Sequence, residues 1–228
     1  MKKILYLILL IPIISISQTL KSFESSDGTE IFYEENGQGQ TLILLSGGPG
    51  LNPDYLKEFS STLSKKYRCI TLHQRGTGKS ILEKVNTKTV NVNRYIEDLN
   101  GLYKELGNEK LILVGHSWGG MLSFSYAANE PEKIEKIILL NTGGVTGKFY
   151  TWFGSNINMR LFPEDLELYQ SQIDNKRSTL VAIWPGYFFN REMALKSRPP
   201  LDYKFSNQGG INSLASGDWR KRSEERVE

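Results

Sequence analysis

The chain has 228 residues, of which 39% are hydrophobic and 23% are charged. This length suits one domain of ordinary size, and this composition is typical of a folded globular protein and excludes a disordered one. The formal net charge is only +3, with no long run of like charges. Charge therefore gives no reason to expect nucleic acid or an acidic partner.

The first residues have the pattern of a secretory signal peptide. A basic start, with Lys2 and Lys3, precedes an apolar run over 4–14. That run is shorter than the roughly 20 residues that a membrane-spanning helix needs. Small residues precede Gln18 at the two positions that a signal peptidase inspects, which predicts removal of 1–17 and export to the periplasm or the medium, with no remaining membrane contact. An uncleaved N-terminal membrane anchor is the alternative.

Beyond this segment, short apolar runs alternate with helical patterns. Strands are predicted, in chain order, over 20–24, 30–35, 41–45, 68–72, 110–114 and 134–140. Helices are predicted over 54–65, 93–106 and 117–129. Asp27-Gly28 predicts a hairpin between the first two strands. Because parallel strands need crossover connections, the alternation predicts an α/β fold with a mostly parallel sheet and helices on both faces.

The alternation stops near residue 143. The segment 145–228 combines helical and loop patterns with clustered aromatic residues, and no further strand is predicted there. We therefore predict two regions, a sheet core over 18–143 and a helical cap or lid over 144–228.

The strongest chemical signal is the sequence Gly-His-Ser-Trp-Gly from Gly115 to Gly119, which matches G-x-S-x-G. It follows a predicted strand and begins a predicted helix, and this context gives the motif its meaning. On so tight a turn, close backbone neighbours leave room only for glycine at positions 115 and 119. The positive N-terminal end of the helix suits developing negative charge. We predict Ser117 as a nucleophile.

A second segment, Ser46–Gly50, is rich in glycine and follows the 41–45 strand. By itself such a segment predicts only a turn. Its position after an earlier strand favours an oxyanion hole, in which backbone N–H groups stabilise negative charge. We expect the two donors to be the amides of Gly48 and Trp118, the residue after the nucleophile.

The sequence does not match motifs for phosphate or metal binding. Gly78-Lys79-Ser80 resembles the end of a phosphate-binding loop, but the glycine required five positions earlier is replaced by His73. One cysteine and two separated histidines give no cluster of metal ligands, so we expect neither a metal nor an organic cofactor.

Together and in this order, the segments 46–50, 73–80 and 115–119 resemble motifs of the α/β-hydrolase superfamily, and within it of the proline iminopeptidase-like group. That group typically shows H-G-G-P-G, then D-x-R-G-x-G-x-S, then G-x-S-W-G. Here Ser46 stands where the group usually has His, and His73 where it usually has Asp. The resemblance implies a serine hydrolase for a small ester or amide, with an N-terminal proline or small residue as one substrate.

A serine nucleophile needs a base, and in this superfamily the acid and then the histidine follow it along the chain. Both histidines here precede Ser117. His116 is its neighbour and is expected to point away from it, while His73 is expected two strands away, at about 10 Å. We therefore expect a C-terminally truncated chain that lacks the last strands, the acid and the base and is nearly inactive as given. A complete but inactive homologue is the alternative.

The substrate stays open between a peptide and an ester. An aminopeptidase would need cap carboxylates for the ammonium group of its substrate, and Glu164, Asp165 and Glu167 are candidates, although such residues usually form a solvated helix face. The aromatic cap suits an apolar acyl group equally, which makes a carboxylesterase the alternative. A non-catalytic ligand-binding protein is the alternative outside enzymes. The sequence predicts neither the oligomeric state nor the substrate-binding residues.

Overall fold

The structure, a computed structural model, describes residues 19–205 and 208–225. The predicted signal peptide over 1–17 lies outside the described residues. Within them, six strands form one sheet in the order β1-β2-β4-β3-β5-β6. The strands are β1 (Thr19–Glu24), β2 (Glu30–Asn36), β3 (Thr41–Leu45), β4 (Arg68–Leu72), β5 (Leu111–His116) and β6 (Ile134–Leu140).

The strand directions bring three loops to one edge of the sheet. β1 and β2 form an antiparallel hairpin, and β2 is also antiparallel to β4. The other four strands are parallel, with Ile43 of β3 opposite Ile70 of β4 on one side and Leu113 of β5 on the other. The carboxyl ends of β3, β4 and β5 therefore lie together, and the three sequence motifs follow these ends.

Helices connect the parallel strands and continue after β6. They are α1 (Lys57–Leu63), α2 (Val92–Glu105), α3 (Trp118–Asn129), α4 (Phe149–Asn158), α5 (Pro163–Asp174), α6 (Leu180–Ile183), α7 (Arg191–Lys196) and α8 (Ile211–Glu225), with 3₁₀ turns at Pro53–Leu56, Pro131–Lys133 and Trp184–Tyr187. The predicted α/β fold with a mostly parallel sheet is confirmed. Across 19–205 and 208–225, no helix has the length and apolar character needed to cross a membrane.

The helix predicted over 54–65 begins instead as a 3₁₀ turn. Pro53 occupies the first turn, and the side chain of Asn52 accepts a hydrogen bond from the N–H of Asp54 at 3.2 Å. This cap favours the tighter 3₁₀ geometry in the first turn of the helix, and regular α-helix begins only at Lys57.

Alternate residues of the strands supply two cores, one on each face of the sheet. In β3, Ile43 and Leu45 belong to the larger cluster, which α2 and α3 cover. Leu42 and Leu44 belong to the smaller cluster, which also includes Leu56 from the 3₁₀ turn before α1. Burial on both faces explains why these strands are continuous apolar runs in the sequence.

The last described helix, α8, packs against the sheet core. Ile211, Ala215 and Trp219 are buried in the larger cluster. The Asp218 carboxylate accepts a hydrogen bond from the N–H of Val92 at 2.8 Å and so caps the first turn of α2. α8 is thus tied to the core by apolar and polar contacts, while the division into core and cap at residue 143 stays a prediction.

A buried ion pair fastens the loop after β4 to α2. Arg75 is fully buried and donates to both carboxylate oxygens of Asp98, from Nε at 2.7 Å and from Nη2 at 2.5 Å. Its Nη1 donates to Asp27 at 3.1 Å and to the carbonyl of Thr89 at 2.9 Å. Ser25 donates its hydroxyl to Asp98 at 2.6 Å. These contacts hold the β1–β2 turn, the loop after β4 and α2 in one arrangement.

Replacing Arg75 by methionine leaves the Asp98 carboxylate buried and unpaired. We expect Arg75→Met to lower the free energy of unfolding by about 3–5 kcal/mol, as measured by urea denaturation followed by circular dichroism. The matched control is Arg68→Met. Arg68 makes the same two-bond contact with Glu35, at 2.9 and 3.1 Å, but its side chain is 31% exposed, so its loss should cost less than about 1 kcal/mol. Equal losses would contradict the role given to Arg75.

Candidate active site

Ser117 lies on the tight turn between β5 and α3. Its backbone has φ 52° and ψ −115°, a conformation that a residue other than glycine adopts only at a cost of about 1–3 kcal/mol. Its N–H donates to the carbonyl of Leu140 at 3.0 Å, and its carbonyl accepts from the hydroxyl of Thr142 at 2.9 Å. Contacts with the end of β6 therefore hold this strained turn in place.

The glycines around Ser117 are required by space. A Cβ on Gly115 would lie 2.5 Å from the backbone of Gly119, and one on Gly119 would overlap the carbonyl of Leu45. A Cβ on Gly120 would overlap the side chain of Thr142. The first turn of α3 therefore lies directly against the ends of β3 and β5, and this contact sets the position of Ser117.

The loop after β3 lies beside the nucleophile turn. The position of a Cβ on Gly47 is 3.1 Å from the Cβ of Ser117. Gly48 has φ 122°, and a Cβ there would lie 2.5 Å from the N of Gly50, so only glycine fits. Among the described residues, neither the N–H of Gly48 nor that of Trp118 donates to an acceptor. Both amides predicted for the oxyanion hole are therefore free to donate, and their catalytic role stays a prediction.

Tyr55 and Asn212 hold this loop, and the sequence motifs identify neither of them. The Tyr55 hydroxyl accepts from the N–H of Gly47 at 2.7 Å and lies 2.7 Å from Nδ1 of His116. Asn212, at the start of α8, donates to the carbonyl of Pro49 at 3.0 Å. The Gly47 amide is thus already engaged, whereas the amide of Gly48 has no acceptor among the described residues.

The described contacts of His116 engage Tyr55 and not the hydroxyl of Ser117. The Tyr55 hydroxyl also accepts from the N–H of Gly47, and in either imidazole tautomer the 2.7 Å contact with Tyr55 engages Nδ1 of His116. Burial lowers the pKa of His116 and keeps it neutral. Nδ1 of His116 and the Cβ of Ser117 each lie 3.1 Å from the position of a Cβ on Gly47, and the expectation that His116 points away from Ser117 stays a prediction.

The two departures from the family pattern have local roles. His73 uses Nδ1 to accept from the N–H of Lys79 at 3.0 Å, as an aspartate oxygen would. Ser46 donates its hydroxyl to the carbonyl of Leu51 at 3.1 Å. β4, which His73 follows, is separated from β5 by β3. Within 19–205 and 208–225, Ser117 Oγ has no hydrogen-bond partner, so no described group acts as its base here.

Arginines neutralise two of the carboxylates considered for substrate binding. Asp165 is buried, and its side chain accepts from Arg191 and, at 2.9 Å, from Arg198. Glu164 accepts from Arg191 at 2.9 Å. These two carboxylates serve the packing of α5 against the segment around α7. Glu164 and Glu167 are both exposed, whereas Asp165 is buried.

Comparisons with known proteins agree with this geometry. Residues 40–180 match the family model for the alpha/beta hydrolase fold. The chain is 27% identical over 172 residues to a proline iminopeptidase of Neisseria gonorrhoeae, covering 72% of this chain and 53% of that protein. It is 32% identical over 124 residues to a cis-3-alkyl-4-alkyloxetan-2-one decarboxylase of Shewanella oneidensis, covering 54% and 39%. The chain thus spans about half the length, or less, of these curated relatives.

A solved structure shows the same fold. An epoxide hydrolase from Vigna radiata has a TM-score of 0.60 over 90% of this chain and 72% of its own, at 19% identity. At that identity the likeness concerns the fold alone.

The buried His73 makes stability depend on pH. Burial lowers the pKa of His73 from 6.5 to about 4, so below about pH 6.5 the unfolded chain takes up a proton that the folded chain excludes. The contribution of His73 is complete above that pH and decreases as the pH falls towards 4. His73→Asn keeps an oxygen to accept from Lys79 and removes this proton uptake. Between about pH 7 and about pH 4.5, wild type should lose about 2–3 kcal/mol more than the variant in urea denaturation. Parallel pH curves would contradict this account.

Proposed function

Because the chain belongs to the alpha/beta hydrolase fold family, we propose that Ser117 is the nucleophile of a serine hydrolase that cleaves a small ester or amide. One observation carries the proposal: a serine held at positive φ on the strand-to-helix turn, with an unpartnered hydroxyl, lies next to Gly47 in the loop that carries the free amide of Gly48. Ser117 Oγ attacks the substrate carbonyl carbon. The N–H groups of Gly48 and Trp118 stabilise the oxyanion that forms.

We further propose that the base and its acid partner come from polypeptide outside the 228 residues. Both histidines of the sequence precede Ser117, and the described contacts assign neither of them to it. β6 also supports this: Ile138 and Leu139 are each 39% exposed, whereas parallel strands are normally covered on both faces. By itself the chain should therefore be nearly inactive, while the natural protein with a complete triad is active and, from its first 17 residues, exported.

The proposed substrates form two classes. The similarity to a protein named proline iminopeptidase supports an N-terminal proline or small residue. A second class, esters of apolar acids, is supported by the exposed aromatic side chains of Trp152, Phe153 and Tyr187 and by the neutralisation of Asp165 and Glu164 by arginine.

Acylation tests the nucleophile in the chain as it stands. Without a base, the oxyanion hole still retains about 10³–10⁴-fold catalysis over water, so an activated aryl ester should slowly acylate Ser117. We expect intact mass spectrometry to show one acetyl adduct on wild type after incubation with p-nitrophenyl acetate, and none on Ser117→Ala. Ser125→Ala is the matched control on the same helix. Adduct formation on Ser117→Ala at the wild-type rate would refute the nucleophile.

Measurements on the natural protein distinguish a catalytic role from a binding role. Its intact mass, measured after purification from its own cells, should exceed that of residues 18–228, and it should turn over either a proline arylamide or an aryl acetate. The faster substrate identifies the class. A mass equal to that of residues 18–228, with no turnover of either substrate, would favour the non-catalytic ligand-binding alternative.

A further inference from the structure

Gln74 links the two elements that carry the predicted oxyanion donors. It lies in the loop after β4 and is 1% exposed. Its Nε2 donates to the carbonyl of Ser46 at 2.8 Å and lies 3.1 Å from the hydroxyl of the same residue. Its Oε1 accepts from Nε1 of Trp118 at 3.0 Å. The amide orientation is determined chemically, because an indole N–H only donates and a carbonyl only accepts.

The contacts around Gly48 show what this link does. The carbonyl two residues before it is held by Gln74, and the N–H of the preceding residue is held by Tyr55. The carbonyl of the following residue is held by Asn212. The N–H of Gly48 itself has no acceptor among the described residues. The loop is therefore tied on both sides of the one amide that is predicted to meet the oxyanion.

The other end of the link holds the second donor. Trp118 is 1% exposed, and its ring packs edge-to-face against Tyr95, with centroids 5.8 Å apart. Its indole N–H reaches Gln74, while its backbone N–H is at the start of α3, where helix amides have no partner within the helix. With the ring held by packing and by a hydrogen bond, the backbone of Trp118 has little freedom to move relative to Gln74.

We propose that Gln74 is a positioning residue of the oxyanion hole, which sets the separation and orientation of the Gly48 and Trp118 amides. The inference rests on the proposed function, in which these two amides are the donors. Gln74 touches neither the substrate nor Ser117 Oγ and acts through Ser46 and Trp118. It does so with a single buried amide whose donor and acceptor are both used.

Two substitutions distinguish the hydrogen bond from Gln74 to Ser46 from the one that Gln74 accepts from Trp118. Gln74→Glu keeps an oxygen for the Trp118 indole but places a second carboxylate oxygen against the carbonyl of Ser46. Gln74→Met has a similar volume and removes both hydrogen bonds. The matched control is Gln172→Glu, because Gln172 is 2% exposed and donates to the carbonyl of Leu201 at 3.3 Å, in the helical region after β6.

The first readout is acylation of Ser117 by p-nitrophenyl acetate in mildly alkaline buffer, followed by intact mass. Ser117 Oγ bonds to the carbonyl carbon, its proton passes to solvent hydroxide, and p-nitrophenolate leaves with the electron pair of the broken C–O bond. Because removal of an oxyanion donor costs about 10²–10³-fold and its displacement costs less, we expect Gln74→Glu and Gln74→Met to acylate about 10- to 100-fold more slowly than wild type. Gln172→Glu should acylate at the wild-type rate.

The second readout does not depend on reactivity. In ¹H–¹⁵N spectra, the amide signals of Gly48 and Trp118 should shift in Gln74→Glu and stay unchanged in Gln172→Glu. The indole N–H signal of Trp118 should keep its hydrogen-bonded position in Gln74→Glu and move upfield in Gln74→Met. Well-dispersed spectra confirm folding, and if Gln74→Met does not fold, Trp118→Phe removes the same indole bond and should also slow acylation.

The outcomes separate the two proposals. A wild type that is never acylated at Ser117 refutes the proposed function, whereas the amide shifts still report whether Gln74 positions the two donors. Unmoved Gly48 and Trp118 amide signals in Gln74→Glu would overturn the inference. Acylation of folded Gln74→Glu at the wild-type rate would also overturn it while leaving the nucleophile intact.

Discussion

The buried ion pair between Arg75 and Asp98 determines where the loop after β4 lies, and the site depends on that loop. A guanidinium with no exposed surface is stable only if its donors are paired, because an unpaired buried charge costs several kcal/mol. Asp98, Asp27 and the carbonyl of Thr89 supply the partners. Gln74 is the preceding residue, so the contacts that hold the arginine also direct this amide towards Ser46 and the nucleophile helix.

The nucleophile turn shows how local strain is offset by close packing. Ser117 adopts an unfavourable backbone conformation, and the surrounding structure leaves no relaxed alternative. Gly115, Gly119 and Gly120 allow α3 to lie directly against the ends of β3 and β5 and beside Thr142. A relaxed turn would separate the helix from the sheet and expose apolar side chains such as Met121 and Leu122, which are buried here.

The helical segment after β6 takes part in the core and in the site. α8 contributes Trp219 to the main core and places Asn212 against the loop after β3. Asp165 of α5 binds Arg191 of α7 and Arg198, which follows α7. A carboxylate that satisfies two guanidinium groups gives up much of its favourable interaction if it turns to a substrate cation. Asp165, a candidate for substrate binding in the sequence, is thus part of the internal structure.

The sequence by itself determined the strands, the order of the motifs and the position of Ser117, because strand periodicity and the glycine requirements of a tight turn are local properties. Only the tertiary structure showed that Gln74, Tyr55 and Asn212 surround Gly48, since their partners lie 28, 8 and 163 residues away and such contacts leave no periodic pattern. It likewise decided that His73 is buried and neutral and that His116 pairs with Tyr55. A motif such as the nucleophile turn can be recognised from short spacings along the sequence. The partners of a buried polar group instead depend on which elements the fold brings together.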